Sequence, residues 1–70
     1  MRWSKHARDR GAERRITLAQ ATEIVQHPDI TFTDKGDNPC YIGQIDERRI
    51  KVVVAADDPG FIVTVIDLDD

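Results

Sequence analysis

The chain has 70 residues, a single cysteine and a formal net charge of −3, which fits one small domain spanning residues 1–70. No stretch nears the roughly 18 consecutive apolar residues that a membrane-crossing helix needs. The basic opening MRWSKHARDR has no apolar segment behind it and does not read as a secretory signal. Cys40 has no second thiol with which to form a disulfide or share a metal, so a reducing, cytoplasmic setting is the expectation.

Charge is divided unevenly. Residues 1–20 hold six cations against two acids, or +4, and residues 21–70 hold four against eleven, or −7. The acidic total argues against non-specific nucleic-acid binding by the domain as a whole. A polyanion contact has to be local, on the basic N-terminal segment. The same segment can equally neutralise the acidic remainder within the molecule.

The first predicted helix starts with Ser4 as its N-cap and runs to Glu13, with Gly11 weakening it and tending to end it early. Thr17-Leu18-Ala19-Gln20 fits a capping box and opens a second helix over Leu18 to Gln26. Leu18, Ala21, Ile24 and Val25 recur at helical spacing as its buried stripe. His27 suits the negative end of the helix dipole, and Pro28 stops the element.

From Asp29 the pattern turns to strands. Ile30 to Thr33 alternates with period two, and Asp34 to Pro39 is turn chemistry. Cys40 to Ile45 is a second strand, with Gly43 marking a bulge or a close approach. After a tight connection at Asp46-Glu47-Arg48 comes a third strand, Arg49 to Ala56, then a reverse turn at Asp57 to Gly60 and a fourth strand, Phe61 to Leu68. Connections this short force antiparallel neighbours. The expected architecture is α+β, with two N-terminal helices packed on one face of a four-stranded antiparallel β-meander. Strict alternation places Phe61, Val63 and Val65 on one face of the last strand and Ile62, Thr64, Ile66 and Leu68 on the other. Lys51 and Thr64 stand out as polar residues in apolar strands. The short first strand leaves a sheet edge through which a homodimer can close.

Few residues here can carry chemistry. His6 and His27 are the only histidines, far apart and without an accompanying cluster, so neither a metal site nor a cofactor is expected. There is no Gly-rich phosphate loop, and Ser4 and Cys40 lack the contexts of hydrolytic nucleophiles. What remains is His6 among Arg8, Arg10, Arg14 and Arg15. Histidine exchanges protons near neutral pH, and guanidinium groups hold phosphates bidentately and stabilise developing charge. Metal-free RNA cleavage by attack of a 2′-hydroxyl needs those parts. A histidine on a short N-terminal helix is more commonly a capping or packed residue.

Ser4-Lys5-His6-Ala7-Arg8-Asp9-Arg10, with Arg14-Arg15-Ile16-Thr17 behind it, resembles the opening of a small bacterial domain-of-unknown-function family, roughly S-x-H-A-x-x-R followed by R-x-I-(S/T). Ile50 to Val54 and Ile62 to Val65 are similar to that family's last two strands. The resemblance covers nearly the whole chain and implies a RelE/ParE-like toxin fold, a group that includes metal-free ribonucleases. It implies a metal-independent endoribonuclease, the toxin of a bacterial toxin–antitoxin or phage-related system, with RNA as substrate and an antitoxin protein as partner. In that reading His6 and Arg10 are catalytic, Arg14 binds the scissile phosphate, and Lys51, Thr64 and Tyr41 contact substrate. The alternative is a non-catalytic protein- or nucleic-acid-binding module on the same scaffold, which suits the acidic tail of Asp67, Asp69 and Asp70.

Overall fold

The computed structural model describes residues 1–70. Ser4 sets the start of α1 (Lys5–Arg14), its hydroxyl oxygen accepting from the Ala7 N–H at 2.9 Å. Gly11 does not shorten this helix. It is buried within α1, where an added Cβ would lie 2.6 Å from the Ile16 carbonyl oxygen and 2.9 Å from the Trp3 ring. Glycine is required there because backbone and ring approach too closely for any side chain. The helix ends at Arg15, whose backbone is left-handed with φ 57°. The N–H groups of Arg15 and Ile16 both return to the Gly11 carbonyl, a Schellman-type closure built without the usual glycine. In α2 (Leu18–Gln26), Thr17 and Gln20 exchange the two capping-box bonds, each 3.0 Å.

Five strands follow the sheet order β1-β5-β4-β3-β2: β1 (Arg2–Trp3), β2 (Ile30–Thr33), β3 (Pro39–Ile45), β4 (Arg48–Ala55) and β5 (Asp58–Asp67). Each of β2, β3 and β4 runs antiparallel to the strand that follows it, as the short connections demand. The expected four-stranded antiparallel meander is nevertheless wrong. Arg2 and Trp3 add a fifth strand, parallel to β5 and paired with Phe61 and Ile62, so the sheet is mixed. Two residues carry no periodicity to recognise, and nearly the whole chain serves as the long crossover that parallel pairing requires. The molecule remains α+β.

Two turns also differ in detail. The connection between β4 and β5 is Ala56–Asp57, and β5 already begins at Asp58. The Asp58 carboxylate accepts from the Gly60 N–H at 3.1 Å, and the chain bulges between the Ala55–Asp58 and Val54–Ile62 pairs. The register shifts again at Val63, so Ile62 and Val65 both face the core, which strict alternation does not allow. Between β3 and β4, Asp46 (φ 50°) and Glu47 (φ 71°) are both left-handed, as in a type I′ hairpin turn.

The core lies between the helices and one face of the sheet. Ala7, Ala21 and Ile24 come from the helices and Ile50, Val52, Val54, Ile62 and Val65 from the strands, all buried. Gly43 marks a close approach, since a Cβ there would sit 3.0 Å from the Ile24 side chain where α2 crosses β3.

Candidate nucleic-acid interface on the first helix

Ser4, Ala7, Ile16 and Thr17 are all occupied by the fold. Besides capping α1, the Ser4 hydroxyl donates to the Val63 carbonyl at 2.6 Å and the Ser4 N–H to the Ile62 carbonyl at 2.9 Å, pinning the helix start to β5. Ala7 is fully buried in the core and Ile16 nearly so. Thr17 caps α2. Arg14 pairs with Asp70. His6 and Arg10 are different: both are exposed, one helical turn apart on α1, and neither side chain takes part in a hydrogen bond or ion pair within the chain.

The other cations divide into paired and free. Arg2 meets Asp58 at 2.5 Å, Lys5 meets Asp9 at 3.2 Å, and Arg49 meets Asp69 at 3.3 Å. Of these, Arg2–Asp58, with Arg14–Asp70, is the neutralisation between basic segment and acidic remainder that the charge division allows. Arg8, Arg10 and Arg15 have no carboxylate partner and stand exposed on α1 and its C-cap. His6 and Arg10 share one face of α1, whereas Arg8, two residues from each, projects from another side of the helix.

The remaining expected site residues do not gather there. Lys51 and Thr64 share the sheet face turned away from the helices, as diagonal neighbours in the β4–β5 register. The Lys51 ammonium lies 5.8 Å from the Phe32 ring centroid on that face. Tyr41 lies on the helix side but on β3, at the margin of the core. Only His6, Arg10 and Arg14 share one element, and the sheet separates them from Lys51 and Thr64. A shallow hollow of 270 Å³, lined by Thr31, Phe32, Thr33, Pro39, Cys40 and Tyr41, opens on β2 and β3 and not beside His6. No three His, Cys, Asp or Glu side chains converge as a set of metal ligands.

The sequence reading missed Arg48. Its guanidinium donates to the Arg14 carbonyl, to the Arg15 carbonyl at 3.1 Å and to the Asp67 carboxylate at 3.3 Å. It thereby satisfies the free carbonyls at the end of α1 from a residue far along the chain. No local signal announces such a cap, because the usual rule places the cation on the helix's own last turn.

Elsewhere, three carboxylates are held below their ordinary range. Asp34 is lowered mainly by the Asn38 N–H, Asp58 by the Arg2 guanidinium and Asp69 by the Arg49 N–H. Burial pushes the Cys40 thiol up.

The class these features define is a two-layer α+β domain with an exposed basic helix on one layer and an uncovered sheet face on the other. The chain belongs to the family described as Domain of unknown function (DUF4258), whose model matches residues 3–67. No curated protein and no solved structure matches it. No helix is long and apolar enough to cross a membrane.

Proposed function

We propose that the chain is an RNA-directed domain that docks α1 on a phosphodiester backbone, and that His6 there catalyses metal-independent cleavage in the manner of a RelE/ParE-like toxin. One observation carries this reading: within the basic N-terminal segment, His6 and Arg10 are a proton-exchanging group and a phosphate-binding group left without structural work. In this mechanism a neutral His6 imidazole takes the proton from a 2′-hydroxyl as its oxygen attacks the adjacent phosphorus. Arg10 holds the non-bridging oxygens as negative charge builds on them. As the P–O2′ bond forms the P–O5′ bond breaks, and the departing 5′-oxygen takes up a proton relayed through water from the protonated His6, giving a 2′,3′-cyclic phosphate and a 5′-hydroxyl end. Arg8 and Arg15 supply sequence-independent contacts to neighbouring phosphates. Arg14, expected to bind the scissile phosphate, is a weaker candidate for that contact than Arg10, because Asp70 already occupies it.

The test is incubation with single-stranded and structured RNA in buffer containing a chelator, alongside binding measured at two salt concentrations. Cleavage is expected, abolished by His6→Ala with the circular dichroism spectrum unchanged. Each of Arg8→Gln, Arg10→Gln and Arg15→Gln should lower the salt dependence of binding by about one phosphate contact.

The second reading is a non-catalytic module that binds a protein, an antitoxin included. The specific observation in its favour is the uncovered sheet face, where Ile30, Phe32 and Ile66 are exposed. Salt-dependent RNA binding without cleavage would leave the basic helix as a docking surface alone, and no RNA binding at all would favour the protein partner.

A further inference from the structure

β2 is one of the two edges of the sheet, and the ladder fixes what it presents. The Leu68 N–H donates to the Arg49 carbonyl, so Arg49, Lys51 and Val53 exchange hydrogen bonds with β5, while Ile50 and Val52 bond to Gly43 and Tyr41 of β3. That leaves Cys40 and Ile42 to bond with their β2 partners Phe32 and Ile30, a register the Asp34 N–H continues by donating to the Asn38 carbonyl. Thr31 and Thr33 therefore direct their N–H and C=O groups off the sheet. Every residue of β2 is exposed, with Ile30 at 56% and Phe32 at 42%.

We propose that this edge takes a second copy of the chain, β2 against β2 and antiparallel, with Phe32 on the two-fold axis. Several independent features select this one register. Thr31 of each copy faces Thr33 of the other, so the four outward groups of each strand find partners and none is left over. Phe32 meets its own symmetry mate at a non-hydrogen-bonded position, where side chains approach most closely. Ile30 lies diagonal to the partner's Phe32, so the exposed apolar groups of both copies join on one face. Asp29 precedes the strand and Lys35 follows it, so antiparallel pairing brings the Asp29 end of each copy to the Lys35 end of the other. Both side chains are exposed, and neither has an ion partner within its own chain. Shifting the register by two residues either way leaves two outward groups of each strand without a β2 partner. The result is one continuous ten-stranded sheet with an α1 at each end, away from the junction. It is independent of whether α1 binds RNA.

The test begins with light scattering across a concentration series up to millimolar. The mass should rise from one chain toward two. Thr31→Pro removes an N–H that faces solvent in the single chain, so the fold is kept while the mass should stay at one chain. Asp29→Lys should weaken association roughly tenfold, and the added Lys35→Asp should restore it. For the register, Phe32→Cys in a Cys40→Ala background should oxidise to a disulfide-linked dimer, because Cα atoms at a non-hydrogen-bonded pair lie within disulfide reach. Thr31→Cys in the same background should not. A single chain at millimolar concentration overturns the proposal. So does a dimer that survives Thr31→Pro, or one that cross-links through residue 31 as readily as through 32.

Discussion

Gly11 and Glu47 are opposite cases of glycine fitness, the first decided by space and the second by backbone conformation. Helix propensity alone makes Gly11→Ala favourable by about 1 kcal/mol. The new methyl, however, would press on the Ile16 carbonyl and the Trp3 ring. Overpacking against backbone costs about 1–3 kcal/mol, so the expected outcome is net destabilisation, read as a lower urea midpoint. Glu47 is the reverse case, a side chain held at φ 71° in a turn that prefers glycine. Glu47→Gly should raise stability by about 1 kcal/mol in the same experiment. Both glycine effects depend on local geometry: composition says only that Gly11 interrupts a helix, whereas the structure shows a ring and a carbonyl resting on it.

Among elements, the junction of α1, β4 and β5 depends most on a single side chain. Arg48 carries the helix-end carbonyls and the Asp67 carboxylate at once. Arg48→Met keeps the aliphatic stem and removes the donors, leaving the helix-end carbonyls and the largely buried Asp67 carboxylate without that partner. A loss of about 1.5–3 kcal/mol is expected, the range for hydrogen bonds to charged groups. Amide hydrogen exchange gives the sharper readout, because the last turn of α1 should open while α2, capped by its own Thr17 and Gln20, should not. The two helices differ in legibility for the same reason. The α2 caps lie three residues apart and can be read directly, while the α1 C-terminus is closed by a residue 34 positions beyond Arg14.

For the whole molecule, the charge ledger predicts a pH dependence with opposite signs at the two ends. Asp34, Asp58 and Asp69 bind protons less readily folded than unfolded. In acid the unfolded chain therefore holds more protons, and stability rises with pH through the carboxylate range. Their contribution is complete above the ordinary value of 3.8 and is lost as pH falls through the lowered folded values. Cys40 acts in the other direction: its folded thiol stays protonated above the ordinary value of 9.0, so stability falls as pH passes that point. Thermal melts across pH should show a plateau between these limits. Cys40→Ala should remove the alkaline slope that comes from this thiol and leave the acid limb in place.

Sequence alone determined the elements whose signals are local. Ser4, Thr17 and Gln20 announced where the helices begin, Ile30 to Thr33 alternated cleanly enough to be read as a strand, and short connections required antiparallel neighbours from β2 to β5. His6 stood out by its chemistry among the arginines, and Arg10 was singled out beside it only by the family resemblance. Tertiary structure alone decided what depends on distant contacts. It recruited Arg2 and Trp3 to the edge of β5, inserted the bulges that turn both Ile62 and Val65 to the core, and put Lys51 and Thr64 on the face away from the helices. The physical reason is range: a cap or an alternating strand is satisfied within a few residues, whereas a two-residue parallel strand, a register shift or the choice of sheet face gains its energy only from partners brought together by folding.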